Sequence, residues 1–139
     1  MRAGSLMTTH PVTVTTKATI AEALDIMRDL DIRHVPVVDR GALVGMLSDR
    51  DLAHLDVGAS LTESGAQALR HKLMTPVVKA MSSDVISVEP ETDLSDVVSL
   101  LLEHRIGAVP VVHPDTRAVV GIVSYVDVLR AVQDSLEEG

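Results

Sequence analysis

The apolar residues of the chain form two stripes with the spacing of amphipathic helices. Both stripes repeat every three to four positions, which places their side chains on one face of an α-helix. The stripes consist of Ile20, Ala23, Leu24, Met27 and Leu30, and of Leu94, Val97, Val98, Leu101 and Leu102. Thr19 and Asp93 stand directly before the stripes as candidate N-caps, and Thr19 with Glu22 has capping-box spacing. The pattern predicts two helices with capped starts.

Each predicted helix is followed by two runs rich in β-branched residues, which favour strands. A turn sequence separates the runs, "DRG" in the first case and "HPDTR" in the second. The runs cover residues 35–38 and 42–47, and residues 109–112 and 118–123. Short strands are also predicted before the helices, at residues 12–14 and 85–88, and a further helix after each pair of runs, at residues 49–55 and 125–136. Residues 60–74 are helix-prone and polar on one side, which predicts a linker helix.

The whole arrangement is written twice. When Met7 is placed on Met81, "VPVV" falls on "VPVV" and apolar positions match along the predicted helices. After two inserted residues, "GMLSDRD" at 45–51 aligns with "GIVSYVD" at 121–127. A strand–helix–strand–strand–helix unit exposes an apolar sheet face when it is alone. The sequence therefore predicts an α+β fold of two pseudo-symmetric repeats that pack sheet to sheet.

The repeated Gly-x-x-Ser-x-x-Asp pattern permits two interpretations. A serine at a helix start with an acid three residues later is a capping box, in which each side chain bonds the other's amide. The same groups suit a nucleotide, because a carboxylate accepts from both ribose hydroxyls and a helix N-terminus supplies donors to phosphate. Gly45 and Gly121 lack a Cβ and permit close approach of backbone or ligand.

Composition narrows the classes of function. The chain has 139 residues, of which 46% are hydrophobic, enough to bury a core, but it contains one tyrosine and no Phe or Trp. A net charge of -8 argues against a nucleic-acid surface. The absence of cysteine excludes disulfides, thiolate metal sites and thiol catalysis. No apolar run reaches the length of a bilayer span and the start lacks an apolar signal core, so a cytoplasmic protein is expected.

These repeated motifs resemble a tandem pair of CBS domains, named after cystathionine β-synthase and also called a Bateman module. The resemblance covers residues 5–55 and 79–134, through the "VPVV" strand, the turn and the Gly-x-x-Ser-x-x-Asp pattern in each copy. It implies the CBS fold, with a first repeat at residues 1–59, a linker helix at 60–78 and a second repeat at 79–139. A stand-alone regulatory module, not an enzyme, is expected.

The resemblance also implies a ligand. CBS pairs bind adenosine nucleotides such as AMP, ADP or ATP between their repeats, with S-adenosylmethionine and NAD-type ligands in some members, and no cofactor is required. One implied site joins Ser124 and Asp127 to Val12, Ile32, Arg33 and His34. The other joins Ser48 and Asp51 to Ile86, Ile106, Gly107 and Ala108. Binding is expected to change the angle or stiffness of the repeats and so to signal to a partner protein, and pairing into homodimers through helices is expected.

Arg33 and His34 distinguish the implied sites, because Gly107 and Ala108 take their places in the second repeat. Arginine can bind phosphate bidentately and a half-protonated histidine can assist, so a phosphorylated ligand should prefer the site with Arg33. Alternatively, the two residues are solvated and complement the C-terminal dipole of an acidic helix. Tyr125 is interpreted as a packed or exposed side chain rather than a ligand contact.

Other functions receive less support from the residues. The six histidines show no recognised metal-ligand spacing, and no serine lies in a nucleophile motif, so neither a metal site nor catalysis is predicted. The alternative to ligand binding is a ligand-free dimerisation or protein-interaction scaffold, in which both Ser-x-x-Asp patterns act only as helix caps.

Overall fold

The computed structural model describes residues 1–53 and 62–138, which form two compact units. The terminal unit consists of Met1–Pro11, Arg40–Leu43 and Ile86–Gly139. The central unit consists of Val12–Asp39 and Val44–Val85. Each unit therefore contains sequence from both predicted repeats. The predicted repeat boundaries describe the duplication of the sequence, not this division by contacts, and they stay a prediction.

The helices and strands are α1 Ala3–Leu6, β1 Thr8–Thr9, β2 Val14–Thr15, α2 Ile20–Leu30, β3 His34–Asp39, β4 Ala42–Ser48, α3 Glu63–Leu73, α4 Leu94–His104, β5 Ala108–Val112, β6 Val119–Ser124 and α5 Tyr125–Glu138. They follow the predicted order from β2 onward, whereas α1 and β1, which precede β2, were not predicted. Two short 3₁₀ helices lie at Arg50–Leu52 and Val77–Lys79. The α+β class predicted from the periodicity is confirmed.

One three-stranded sheet has the order β2-β3-β4. Strand β2 runs parallel to β3, with Val14 opposite Val37. The strand predicted at residues 12–14 is therefore observed at Val14–Thr15, two residues later at its start and one residue later at its end. The tight turn between β3 and β4 uses positive φ at Arg40 (52°) and Gly41 (83°), as the "DRG" turn predicts. The predicted linker helix is observed as α3, whose first turn donates from the Gly65 amide to Thr62 Oγ1 at 2.9 Å.

The other sheet has the order β1-β6-β5 and is antiparallel. The predicted strand at residues 85–88 is wrong in extent, because only Val88 forms a bridge, to Val111. The Val88 amide donates to Pro110 at 3.0 Å and its carbonyl accepts from Val112 at 2.8 Å. Pro90, which has no amide hydrogen, follows two residues later and favours the end of this pairing.

Helices α2 and α4 begin differently although the sequence predicted capped starts for both. Thr19 Oγ1 accepts from the Glu22 amide at 3.2 Å, as predicted. Asp93 occupies the N-cap position of α4, but its side chain makes no capping bond, so that prediction is wrong. The Asp96 amide is one of the two backbone donors that an N-cap side chain can accept from. It already donates to the Asp93 carbonyl at 3.0 Å.

The helices that follow each Ser-x-x-Asp pattern also differ. The helix predicted at residues 125–136 is confirmed as α5. The one predicted at residues 49–55 is a 3₁₀ turn of three residues, and residues 54–55 lie outside the described part of the chain. Within the two described ranges, no helix has the length and apolar character needed to cross a membrane.

Each unit has its own aliphatic core. The central core contains Val14, Ala18, Ile20, Ala23, Met27, Val35, Val37, Leu47, Leu52 and Val77. The terminal core contains Ala3, Val88, Val97, Leu101, Val109, Val111 and Val123. The predicted stripes supply these cores with three exceptions: Leu30 and Leu102 at their ends are exposed, and Val98 is not part of the terminal core.

A methionine covers the glycine of the repeated pattern in each unit. Gly121 in β6 lies under Met7, and Gly45 in β4 lies under Met81, so that a Cβ at either glycine would overlap the methionine sulfur. Beside these contacts, Thr8 pairs with Ile122 in one sheet, and Met46 exchanges two backbone hydrogen bonds of 2.9 Å with Ser82 in the other unit. The glycines therefore make room for a protein side chain.

We expect Gly121→Ala to lower the free energy of unfolding by about 1–3 kcal/mol, the usual cost of an overpacked site. Gly45→Ala should cost less. An added Cβ at Gly45 meets Met81 only at its distal atoms, which can move, whereas at Gly121 it also lies 3.0 Å from Met7 Cβ. Urea denaturation of both variants measures the difference.

A double-mutant cycle tests the contact itself. Met7→Ala removes the side chain that the new methyl group would strike, so the pair Gly121→Ala and Met7→Ala should be less destabilised than the sum of the single variants. Strict additivity of the two free-energy changes would contradict the proposed overlap.

Candidate functional site

The two Ser-x-x-Asp pairs have the same geometry. In the terminal unit, the Ser124 amide donates to Asp127 Oδ2 at 2.8 Å, and the Asp127 amide donates to Ser124 Oγ at 3.3 Å. The Ser124 hydroxyl also donates to Asp127 Oδ2, at 3.1 Å. In the central unit Ser48 and Asp51 form the same three bonds at 2.8, 3.3 and 3.1 Å. Both pairs are therefore complete capping boxes.

The capping boxes lie where a strand passes directly into a helical turn. Ser124 is the last residue of β6 and α5 starts at the next residue, while Ser48 ends β4 shortly before the 3₁₀ turn. All four side chains are only half-buried. In both boxes the bonds from described residues reach Oδ2, and none reaches Oδ1. Each carboxylate thus keeps one oxygen available to accept a hydrogen bond from a ligand.

In the terminal unit, backbone pairing brings further predicted residues beside Ser124. Ala108 lies opposite Ser124 across β5 and β6, and the Gly107 carbonyl accepts from the Tyr125 amide at 3.0 Å. Ile86 and Ile106 pack against the terminal core. Tyr125 is exposed, in agreement with its interpretation as a packed or exposed residue. Gly107 and Ala108, which align with Arg33 and His34, are uncharged, so this capping box lacks the charged neighbours of the first repeat.

The central unit has a charged environment at the equivalent place. The Arg33 carbonyl accepts from the Asp49 amide at 2.9 Å, and Arg33 Nη1 donates to Asp49 Oδ2 at 3.0 Å. His34, the first residue of β3, is half-buried, and Ile32 packs against the central core. The carboxylates of Asp49 and Asp51 both act electrostatically on His34.

The structure thus groups the predicted residues by unit. Ser48 and Asp51 share the central unit with Ile32, Arg33, His34 and the exposed Val12. Ser124 and Asp127 share the terminal unit with Ile86, Ile106, Gly107 and Ala108. The resemblance joins each Ser–Asp pair to the residues of the other repeat, and those two sets stay predictions.

Asp49 contacts the predicted residue Arg33 and was not itself predicted, because it occupies one of the two free positions of the pattern. A signal was present in the alignment of the repeats. Arg33 and Asp49 are both charged in the first copy, and their counterparts Gly107 and Tyr125 are both uncharged. A pair of opposite charges that is present in one copy and wholly absent from the other indicates a contact.

Burial lowers the pKa of His34 below its ordinary value of 6.5. The loss of hydration disfavours the charged imidazolium, and Arg33 and Arg50 add to this effect. The carboxylates of Asp49 and Asp51 oppose it by raising the pKa, without overcoming burial. His34 is therefore held in its neutral form near neutral pH.

Other chemistry finds no support in the described ranges. There, no group of His, Asp or Glu side chains is arranged to hold a metal ion, and His54 lies outside them. An open depression of about 520 Å³ at the start of α4 is lined by Met1, Asp93, Leu94, Ser95 and Val98, and contains none of the predicted site residues.

Two small α+β units with matching Ser–Asp boxes define a tandem-repeat protein with two candidate half-sites. The CBS domain family model matches residues 3–58 and residues 77–134. The chain belongs to the CBS domain family, and the resemblance noted in the sequence is confirmed.

The similarity to known proteins extends over most of the chain. The CBS domain-containing protein YhcV of Bacillus subtilis is 36% identical over 121 residues, which cover 87% of this chain and 78% of that protein. The CBS domain pair of MJ0100, solved with 5'-methylthioadenosine and S-adenosyl-L-methionine, has a TM-score of 0.78 at 26% identity and covers 97% of this chain and 98% of its own. CBSX2, solved with AMP, has a TM-score of 0.79 at 27% identity and covers 96% of each chain.

Several further relatives are longer enzymes, and the chain spans only 22–23% of their length. The similarity therefore lies in a segment that is a small part of those enzymes. It brings none of their activities to this chain.

The lowered pKa of His34 makes the stability of the protein depend on pH. As the pH falls below about 6.5, the unfolded chain binds a proton at this position more readily than the folded protein does, so the free energy of unfolding decreases. Urea denaturation from about pH 8 to about pH 5, a range that brackets the ordinary histidine pKa, measures this decrease. The free energy of unfolding should fall less steeply toward acid pH for His34→Ala than for the wild type.

Alanine is the matched substitution because the second repeat has Ala108 at the aligned position. His104→Ala, which removes an exposed histidine at the end of α4, is the control and should keep the wild-type profile. An identical acid-side decrease in His34→Ala and the wild type would contradict the assignment.

Proposed function

We propose that the protein is a regulatory module that binds an adenosine nucleotide, AMP, ADP or ATP, through its Ser–Asp half-sites. S-adenosylmethionine or an NAD-type compound is the second choice of ligand. The observation that carries the proposal is Oδ1 of Asp51 and of Asp127, which accepts no bond from the described residues, in the same half-buried geometry in both units.

The chemistry of a nucleoside fits this arrangement. A ribose presents two neighbouring hydroxyl groups, and a carboxylate oxygen fixed at a helix start can accept from them in charge-assisted bonds. Because the capping bonds already fix the orientation of Asp127, the ligand does not bear the entropy cost of ordering that side chain. The nearby helix start adds amide donors that suit a phosphate.

The relatives support the same class of ligand. CBSX2 was solved with AMP, and the CBS pair of MJ0100 with two adenosyl compounds that carry no phosphate. All three ligands contain an adenosine group and differ in the substituent at its 5' position. We therefore propose adenosyl recognition as the shared step and the 5' group as the variable one.

The residue sets predicted from the resemblance form part of the proposal. Ser124 and Asp127 are proposed to act with Val12, Ile32, Arg33 and His34. Ser48 and Asp51 are proposed to act with Ile86, Ile106, Gly107 and Ala108. The proposal also includes repeat boundaries at residues 1–59, 60–78 and 79–139. We further propose that the protein signals to a partner protein by conformational change and that it is cytoplasmic.

A scaffold is the second candidate function, and one observation favours it. Both carboxylates already bond the amide of their own serine, so each Ser–Asp pair is fully used as a helix cap without any ligand. A protein that only assembles with partners would show the same boxes. Ligand binding distinguishes the two functions.

Ligand binding should raise the stability of the protein. A ligand at 100 times its Kd adds about 2.7 kcal/mol to the free energy of unfolding. Thermal shift and titration calorimetry with AMP, ADP, ATP, NAD, S-adenosylmethionine and 5'-methylthioadenosine should therefore identify at least one stabilising compound. Asp127→Asn and Asp51→Asn should reduce or abolish that gain.

Asparagine is preferred to alanine because its side-chain oxygen can still accept from the serine amide, so the cap survives while the charge is lost. Asp134→Asn, on the exposed part of α5, makes the same change in charge away from the box and is the control. A flat response to all six compounds would favour the scaffold.

We also propose that the protein forms a homodimer through α5. This helix exposes Tyr125, Leu129, Val132 and Leu136, with the i, i+4, i+7, i+11 spacing of a seam that packs against another helix. Solvent-exposed apolar residues in such a row are typical of an interface.

Leu129→Glu should convert the dimer to a monomer, because it buries a charge in an apolar seam. Sedimentation equilibrium measures the change. Gln133→Glu adds the same charge to an exposed polar position of α5 and should leave the mass unchanged. A wild-type protein of monomer mass at the same concentration would contradict the proposed dimer.

A further inference from the structure

The ion pair between Arg33 and Asp49 is present in only one of the two repeats. In the central unit Arg33 Nη1 lies 3.0 Å from Asp49 Oδ2. The aligned residues of the second repeat are Gly107 and Tyr125, which cannot form such a pair. The pair therefore does not belong to the framework that the two repeats share.

The backbone of the two repeats is nevertheless equivalent at this place. The Asp49 amide donates to the Arg33 carbonyl at 2.9 Å, and the Tyr125 amide donates to the Gly107 carbonyl at 3.0 Å. Since the terminal unit makes the same backbone bond without charged side chains, the ion pair is not needed to form it.

The pair also contributes little to stability. The side chains of Arg33 and Asp49 are 71% and 50% exposed, and ion pairs at such positions contribute little in water. Asp49 has no capping role either, because its side chain makes no cap bond to the 3₁₀ turn that follows it. The pair is a weak, exposed contact that another anion could replace.

The charges around His34 are balanced while the pair is formed. Arg33 and Arg50 are offset by Asp49 and Asp51, and burial keeps His34 neutral. A phosphate would find Arg33 already bonded to the carboxylate of Asp49. If Asp49 is neutralised, the group gains a net positive charge and a free guanidinium, which binds phosphate bidentately.

We infer that Asp49 competes with the anionic group of a ligand for Arg33 and thereby sets how strongly the protein distinguishes phosphorylated from uncharged adenosyl compounds. This inference rests on the proposed nucleotide function. Asp49 acts through Arg33 and is a positioning residue that tunes specificity, not a ligand contact.

The test compares AMP with adenosine, which differ only in the phosphate. Titration calorimetry on Asp49→Asn should give an AMP affinity about two- to five-fold tighter than that of the wild type, the factor that release of one exposed ion pair allows. The affinity for adenosine should not change. Arg33→Gln should weaken AMP binding more than adenosine binding, and should remove the gain when combined with Asp49→Asn.

Asp25→Asn is the matched control. Asp25 forms an exposed ion pair with Arg28 at 2.6 Å in the same unit, so its substitution makes the same change in net charge and breaks the same kind of contact. It should leave both affinities unchanged. All substituted side chains are exposed, and an unaltered thermal transition without ligand checks that the variants fold.

The outcomes separate this inference from the proposed function. If the wild type binds AMP and adenosine but Asp49→Asn leaves their ratio unchanged or weakens AMP, only the role of Asp49 is overturned. An equal gain in Asp25→Asn would also overturn it, since net charge alone would then explain the effect. If the wild type binds neither compound, this inference is overturned, and the proposed function is overturned with it only when ADP, ATP, NAD, S-adenosylmethionine and 5'-methylthioadenosine also fail to bind.

Discussion

The contact between a methionine and a bare glycine is the constraint on which both units depend. Met7 and Met81 begin the two sequence copies, yet each covers the glycine in the strand of the other copy, Gly121 and Gly45. Each unit is completed by a segment from the beginning of the other repeat. Because the covered strand ends three residues later at the capping serine, the same contact positions the candidate half-site. A side chain at the glycine would move the strand that carries it.

The duplicated framework and the charges added to it have separate roles. The three capping bonds have the same lengths in both units, and the backbone bond is 2.9 Å from residue 49 and 3.0 Å from residue 125, a difference well inside the ordinary variation of hydrogen-bond length. Only the central unit carries Arg33, His34 and Asp49 beside its capping box. Equal frameworks with unequal charges can hold the same nucleoside while they differ toward its 5' group. Specificity can therefore change at a few exposed side chains without disturbing either core.

The sequence predicted those features that local periodicity and repetition determine. The α2 and α4 stripes, the paired strands, the linker helix and both Ser–Asp boxes follow from spacing alone. It failed where one residue's partner is distant in the chain. Nothing near Gly121 in the sequence points to Met7, so the glycine was open to interpretation as a ligand contact. Asp93 was predicted to cap α4 from its residue type, but the backbone had already used the amide. Asp49 was missed because it stands at a free position of the pattern and its partner Arg33 lies 16 residues earlier in the chain.

Helix capping and ligand binding need not exclude each other. A capping box uses one carboxylate oxygen, Oδ2, and leaves Oδ1 without a bond from the described chain. An acid in this position stabilises the folded protein before any ligand arrives, which keeps it in one orientation at little entropic cost. Asparagine could accept the same bond, so a neutral side chain could also form the cap. The negative charge on both boxes adds a favourable interaction with the helix start, and it is the property that two ribose hydroxyls would use.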